Sequence, residues 1–282
     1  QGFEPLGAAS SAFAGTFDGS GYTITDLTVN RTTTDSVGLF GHLDSAGTLE
    51  DISLERATVG GRGDVGGLVG NSSGTVDGSS VGGQVDGTTS VGGLVGNNTG
   101  TVTDSSASGP VNGTDYVGGL VGWSRAGATV TRSYALGDVN GTGSQIGGAV
   151  GRNDGTVRMA AATGAVDGDG NVGGLVGRNL DDGEVAQSYA TGAADGTVAG
   201  GLVGFNDGGN VTDTYATGAV DGSSAGGLVG WNQGGEIRLS YAVGAVDGTG
   251  SVGGLVGYHS TDGTIEDSYW DNGTTNQSAG VS

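Results

Sequence analysis

The chain has 282 residues, of which 66 are glycine, two are proline and none is cysteine, and 30 acidic side chains against nine basic ones give a net charge of −21. This composition excludes a collagen triple helix, which needs glycine at every third position with abundant proline, and a disulfide scaffold, which needs cysteine. The charge repels phosphate backbones, so we expect no nucleic-acid partner, and no apolar run reaches the ~18 residues of a membrane-spanning helix.

The first 36 residues differ from the rest in their larger apolar side chains, among them Phe3, Phe13, Phe17 and Tyr22. Terminal units of stacked repeats are usually atypical, because only one of their faces meets a neighbour. We therefore predict that residues 1–36 form an N-terminal cap or first coil.

A glycine-rich hexapeptide recurs from residue 37 onward. VGGLVG stands at 65–70, 91–96 and three later places, and close variants fill the positions between. Successive closing glycines are 26 to 29 residues apart. They are Gly41, Gly70, Gly96, Gly122, Gly151, Gly177, Gly204, Gly230 and Gly257. This spacing indicates nine copies of one short structural unit.

Each hexapeptide is followed by a second element, such as GTVTDSSASGPVNG (100–113). Its β-branched and small residues favour strands, and its Asp-Gly and Asn-Gly pairs indicate turns. A unit this short can bury an apolar face only by stacking on its neighbours. We predict an all-β fold, a parallel β-solenoid (β-helix) of about nine coils with roughly 27 residues per coil over residues 37–270, followed by a polar tail over 271–282.

Alternation within the second element predicts which side chains face the interior. Two columns of small residues, represented by Ser188 and Ala190, are placed inward, so the column between them faces out. That outward column contains Ser80, Ser106, Tyr134, Ala161, Tyr189, Tyr215, Tyr241 and Tyr269.

These repeats resemble the GLUG-motif family. The resemblance rests on GGLVG followed by strands such as GNVTDTYATG (209–218), on the lead-in GFEPLG (2–7) and FAGTFDGSGYTITDLTV (13–29), and on the ending IEDSYWDNGTTNQSAG (265–280). It implies a secreted or surface β-solenoid of the adhesin kind, often a stalk or adhesive module, with no catalytic motif of its own. Because related proteins extend further at both ends, we expect the chain to be part of something longer.

The charge pattern indicates a habitat. Twenty-four aspartates and no lysine resemble the proteome of a halophilic archaeon, although simple solubility is the alternative. The eight Asn-X-Ser/Thr sequons suit an extracellular or cell-surface glycoprotein, and the alternative is chance in a chain rich in Asn, Ser and Thr. They are Asn30, Asn71, Asn97, Asn112, Asn140, Asn210, Asn272 and Asn276.

Patterns for catalysis and metal binding are sparse. Asp167, Asp169 and Asn171 alternate like the start of a calcium loop, but no Glu stands near the twelfth position, which favours an ordinary acidic turn. His42 and His259 lie seven or eight coils apart, too far to share a metal ion. We predict no enzymatic activity and no cofactor.

The aromatic residues are the candidate binding groups. The outward tyrosines Tyr189, Tyr215, Tyr241 and Tyr269 form one row, and a second row at a neighbouring corner contains Phe205, Trp231 and Tyr258. Exposed rings can bind a sugar or a protein. The alternative is that the stacked rings serve only to stabilise adjacent strands.

We therefore predict a non-catalytic extracellular structural or adhesive module of a surface protein or filament. It could bind a surface glycan or protein, or self-associate end-to-end or side-by-side. The alternatives are a receptor- or glycan-binding fibre of a virus that infects a halophile and, less favoured, a glycan-processing β-helix enzyme, because a fold alone does not define chemistry.

Overall fold

Short β-branched runs form 41 strands separated by glycine-rich corners in the computed structural model, which describes residues 2–282. The strands are β1 (Thr16–Asp18), β2 (Thr23–Thr25), β3 (Thr28–Asn30), β4 (Phe40–Leu43), β5 (Thr48–Glu50), β6 (Ser53–Gly60), β7 (Gly63–Gly66), β8 (Val69–Ser72), β9 (Thr75–Asp77), β10 (Ser80–Asp86), β11 (Thr89–Gly92), β12 (Val95–Asn98), β13 (Thr101–Thr103), β14 (Ser106–Ala107), β15 (Val111–Gly113), β16 (Asp115–Gly118), β17 (Val121–Ser124), β18 (Thr129–Thr131), β19 (Tyr134–Ala135), β20 (Val139–Gly141), β21 (Ile146–Gly147), β22 (Val150–Asn153), β23 (Thr156–Arg158), β24 (Ala161–Ala162), β25 (Val166–Gly168), β26 (Asn171–Gly173), β27 (Val176–Leu180), β28 (Glu184–Ala186), β29 (Tyr189–Ala190), β30 (Ala194–Gly200), β31 (Val203–Asp207), β32 (Asn210–Thr212), β33 (Tyr215–Ala216), β34 (Val220–Gly226), β35 (Val229–Gln233), β36 (Glu236–Arg238), β37 (Tyr241–Ala242), β38 (Val246–Gly253), β39 (Val256–His259), β40 (Thr264–Glu266) and β41 (Tyr269–Trp270). One short helix, α1 (Asn272–Thr275), follows them.

The strands form three parallel sheets along the length of the molecule. One sheet has ten strands from β1 to β40, a second has nine strands from β4 to β39, and the third has 22 strands. Each coil passes through all three sheets, and equivalent residues stay in register, as Val91 does with Val65 and Val117. The predicted parallel β-solenoid of about nine coils with roughly 27 residues per coil is therefore confirmed.

The hexapeptide builds the corner between the 22-stranded and nine-stranded sheets. In the copy at 91–96, Val91, Leu94 and Val95 are fully buried, and each such side chain contributes about 1.5–3 kcal/mol by leaving water. A Cβ atom on Gly92 would lie within 3.0 Å of backbone atoms of its own coil and of the next one. The glycine is thus required because the backbones of adjacent coils approach closely at this corner.

The columns of small residues lie inside the solenoid as predicted. From Ser79 to Ser240 the first column is at most 2% exposed, and so is the second from Val81 to Ala242. The tyrosines between them face out, and Tyr134, Tyr241 and Tyr269 are 45%, 45% and 66% exposed. Ala161 is buried although it belongs to the outward column, since this small residue lies in register between two tyrosines.

A buried asparagine ladder runs beneath the nine-stranded sheet. Asn153, Asn179, Asn206 and Asn232 are fully buried, and each of the first three donates an amide hydrogen bond of 2.8–2.9 Å to the next. The ladder ends where Asn232 Nδ2 lies 3.1 Å from His259 Nδ1. These amides also bind corner carbonyl groups, which lets a narrow interior satisfy its buried polar groups.

The same column contains two serines at its other end. Ser72 and Ser124 flank Asn98 in register, and both are fully buried. Neither hydroxyl oxygen has a hydrogen-bond partner within residues 2–282. The ladder is therefore incomplete in the first coils.

The corner after the ten-stranded sheet uses a left-handed residue in every coil. The φ angles there lie between 46° and 58° for Asp51, Gly78, Asp104, Arg132, Met159, Gln187, Asp213, Leu239 and Asp267. Asp, Asn and Gly tolerate this conformation, whereas branched or long apolar residues such as Leu239 are strained in it.

The N-terminal segment lies on the first strand of the nine-stranded sheet. Leu6 and Phe13 form isolated bridges to Phe40 and Leu43 of β4. The Phe13 and Phe17 rings pack on the buried Phe40 ring, with centroid distances of 5.1 and 5.5 Å. This apolar cluster packs in the first coil.

The C-terminal segment folds back over the last coil. After α1, the carbonyl oxygen of Gly280 accepts hydrogen bonds of 2.9 and 2.8 Å from the N–H groups of Leu255 and Val256. Val281 forms an isolated bridge to β39. The tail therefore covers the last edge of the nine-stranded sheet, as the N-terminal segment covers its first.

Candidate aromatic surfaces

The tyrosine row forms a stack on the outer face of the 22-stranded sheet. The Tyr189 and Tyr215 ring centroids lie 4.9 Å apart with planes 2° apart, and those of Tyr215 and Tyr241 lie 5.2 Å apart at 8°. Burial raises the pKa of the Tyr215 hydroxyl, with smaller contributions from its two neighbours. The spacing equals that of strands, so backbone register alone brings the rings together.

Inward hydroxyl groups fix the strands that carry these rings. Ser188 Oγ donates to the Ala186 carbonyl at 2.7 Å and accepts from the Ala160 N–H at 3.0 Å. Thr214 and Ser240 repeat this link between coils. The residue between two inward side chains must project outward, which makes the rings a rigid surface feature.

The ring stacking ends between Tyr241 and Tyr269. Tyr241 and Tyr269 are backbone partners, but a cleft of about 330 Å³ lies beside their rings. Its other lining residues are Ala242, Val243, Trp270 and Asp271.

The second aromatic row extends further along the solenoid than its aromatic residues indicated. The outward column of the nine-stranded sheet continues from Tyr258, Trp231 and Phe205 through Arg178 and Arg152 to Trp123. The Phe205–Trp231 and Trp231–Tyr258 centroids are 5.6 and 4.8 Å apart.

The arginines join this row through their guanidinium groups. The Arg178 group lies 5.1 Å from the Phe205 ring centroid, and that of Arg152 lies 4.4 Å from the Trp123 ring. Arg178 also pairs with Asp207, and Arg152 pairs with Asp154 at 3.0 Å. Sequence reasoning missed the arginines because it compared only aromatic residues, although their spacing in the repeat places them in the same column.

An acidic column follows the turn beside the tyrosine row. Asp167, Asp195, Asp221 and Asp247 are in register on four coils. Burial raises the pKa of Asp195, and the carboxylates of Asp167 and Asp221 raise it further. The repulsion between the carboxylates of this column is strongest at low ionic strength, because salt screens it.

The calcium candidate lies in the same turn region. Asp167 and Asp169 are exposed, and Asn171 begins β26 half-buried. Within residues 2–282, no group of three or more His, Cys, Asp or Glu side chains is arranged to hold a metal ion. His42 and His259 belong to the first and last strands of the nine-stranded sheet.

The eight sequons differ in exposure. Asn97 is 6% exposed, and its side-chain oxygen accepts a 3.0 Å hydrogen bond from Arg125. Asn71 and Asn112 are half-buried. The exposed sequon asparagines are Asn30, Asn140, Asn210, Asn272 and Asn276.

Stacked coils of one repeated unit, with aromatic rows on their outer faces, define a parallel β-solenoid repeat protein. Four segments match the GLUG motif, at residues 87–112, 168–194, 195–221 and 248–275. Four of its repeats thus match the GLUG motif, which confirms the resemblance seen in the sequence.

Two curated relatives match shorter stretches. Halomucin from Haloquadratum walsbyi is 48% identical over 79 residues, which are 27% of this chain and 1% of Halomucin. A protein of Evansella cellulosilytica, named as a Gly-rich membrane protein, is 40% identical over 83 residues, which are 28% of this chain and 10% of that protein. The chain therefore spans a small part of either relative.

The likeness to a protein of a halophilic archaeon supports the habitat inferred from charge. No solved structure matches the chain. Among residues 2–282, no helix combines the length and apolarity needed to cross a membrane.

Proposed function

We propose that this chain is a non-catalytic structural and adhesive module of an extracellular or cell-surface protein of a halophile. Its GLUG repeats and its likeness to Halomucin and to a named Gly-rich membrane protein support this role. The five exposed sequon asparagines are the expected glycosylation sites, because a glycan needs an accessible side chain.

The observation that carries the adhesive part is the stacked tyrosine row. Three parallel rings stacked on consecutive coils give a rigid, partly apolar strip, whose exposed part is formed by ring edges and hydroxyl groups. The ring edges and hydroxyl groups of such a strip can contact a sugar or the side of a second molecule. Because the backbone hydrogen bonds already hold the strands in place, the fold does not depend on ring contacts for register.

The test compares the wild-type chain with Tyr189→Ser/Tyr215→Ser on an immobilised glycan array and by sedimentation velocity in molar NaCl. Serine stands in the same column at Ser80 and Ser106, so the variant should keep its circular dichroism spectrum. Each lost ring should weaken glycan binding or lateral association by about two- to tenfold.

Tyr22→Ser is the control, because Tyr22 is 80% exposed and lies outside the row. It should bind as the wild type does. A wild-type chain that neither binds a glycan nor self-associates would leave only the structural role. A double variant that unfolds with unchanged binding per folded molecule would make the row a structural ladder.

A further inference from the structure

The cleft at the open end of the tyrosine row combines two exposed tyrosine rings with one carboxylate. Tyr241 and Tyr269 are 45% and 66% exposed, so their faces are accessible from solvent. Val243 adds an aliphatic wall. The cleft volume of about 330 Å³ lies at the lower end of the range for small-molecule sites.

Two of its residues are held firmly in place. The Trp270 indole N–H donates a 3.1 Å hydrogen bond to the Gln277 carbonyl, and its ring fills the space above Gly254 and Gly280. Asp271 caps α1, with Oδ1 accepting a 2.9 Å bond from the Gly273 N–H. Asp271 Oδ2 makes no hydrogen bond within residues 2–282 and is available to a ligand.

The charged residues near this end of the chain favour a positively charged ligand. Residues 239–282 contain five acidic side chains and no Arg or Lys. The Arg238 guanidinium is itself paired with Glu236 at 3.3 Å and Glu266 at 3.4 Å. An anion is therefore disfavoured, and a cation gains from the local field.

We propose that this cleft binds a quaternary ammonium cation. Aromatic faces attract a diffuse cation through their quadrupoles, and the methyl groups of a quaternary ammonium ion make apolar contacts that a metal ion or a primary amine lacks. The exposed rings of Tyr241 and Tyr269 supply the aromatic surface, and Asp271 supplies the countercharge. This site goes beyond adhesion and does not depend on it.

The experiment titrates the chain with choline and with 3,3-dimethyl-1-butanol, its neutral isostere, at constant ionic strength. The ring resonances of Tyr241 and Tyr269 are followed by NMR. Choline should saturate both signals and bind at least about two- to fivefold more tightly than the isostere, the share expected for an exposed cation–π contact.

Two variants and one control locate the site. Tyr269→Ser should weaken choline binding by about two- to fivefold, and Asp271→Asn should weaken it while keeping the helix cap, because Asn caps as well as Asp. Tyr189→Ser, which lies beyond Tyr215 from the cleft, should leave it unchanged.

Equal binding of choline and its isostere, no saturable shift, or an unchanged choline affinity in Tyr269→Ser would overturn the proposal. So would tighter binding of methyl glucoside than of choline. Because Tyr189→Ser disrupts the proposed glycan surface and not this cleft, failure of the two proposals is distinguishable.

Discussion

Completing the asparagine ladder should stabilise the fold at one serine and not at the other. Ser72→Asn would place an amide beside Asn98, with Gly74 two residues later, as Gly100 follows Asn98. In that arrangement the Gly100 N–H donates to Asn98 Oδ1 at 3.1 Å, and the Gly74 N–H should donate in the same way to the amide oxygen introduced by Ser72→Asn.

The expected gain follows from the hydrogen bonds. The unpartnered Ser72 hydroxyl would be removed, and a bond to Asn98 of the kind seen between Asn153 and Asn179 would form. Each net hydrogen bond contributes about 0.5–1.5 kcal/mol. We therefore expect stabilisation of about 1–2 kcal/mol, or a melting temperature raised by roughly 2–4 °C.

Ser124→Asn should not give this gain, because Ala128 stands where the other coils have glycine. At the equivalent Gly183, a Cβ atom would lie within 3.0 Å of Asn179 Oδ1. Overpacking of this kind costs about 1–3 kcal/mol. Ser124→Asn should thus destabilise the chain alone and stabilise it when Ala128→Gly is already present.

The assay is a double-mutant cycle on Ser124 and Ala128, in which urea and thermal unfolding give the stability of each variant. Ser72→Asn is the matched single variant. We expect a favourable coupling of at least about 1 kcal/mol. Additive effects at Ser124 and Ala128, or the same sign for both single serine variants, would refute the proposed packing around the ladder.

Three further predictions concern the surface. Asp195→Asn should raise the melting temperature at neutral pH in ~0.1 M salt. Burial and the neighbouring carboxylates raise the pKa of Asp195, so its negative charge opposes folding. The gain in melting temperature should shrink in molar NaCl, which screens the repulsion, and at lower pH, where the wild-type carboxyl is protonated. Leu239→Asn should stabilise by up to ~1 kcal/mol, measured by urea unfolding, because it relieves a φ of 49° at a 56% exposed side chain. Two residues inserted between 122 and 130 should barely change the melting temperature, whereas one residue inserted between 211 and 221 should unfold that coil, because it reverses the strand faces; equal effects would contradict the assigned register.

The repeat, its register and its inward columns could be predicted because they depend on spacing. The fixed distance from Val102 to Asn112 recurs in coil after coil, and alternation then decides that Ser105 and Ala107 face inward. A backbone that repeats in each coil requires equivalent residues at a fixed spacing in the sequence. These features can therefore be predicted without knowing any side-chain conformation.

Features that depend on side-chain geometry at one place were not predictable in this way. The register of Tyr241 and Tyr269 follows from the repeat, but the cleft beside their rings depends on the rotamers of these side chains. The polar sequence of the tail likewise did not indicate that Gly280 forms hydrogen bonds with the last coil. The asparagine ladder had a visible signal in the sequence, because an Asn stands two residues after most closing glycines.

The constant register also has an evolutionary consequence. Since Val91 meets Val65 below and Val117 above in the same way, a duplicated genetic segment of one repeat would add one coil without altering the contacts of those around it. Unequal recombination between such segments would lengthen or shorten the molecule by whole coils. The length of the solenoid could then evolve by copy number, while the aromatic and acidic columns on each coil diverge separately.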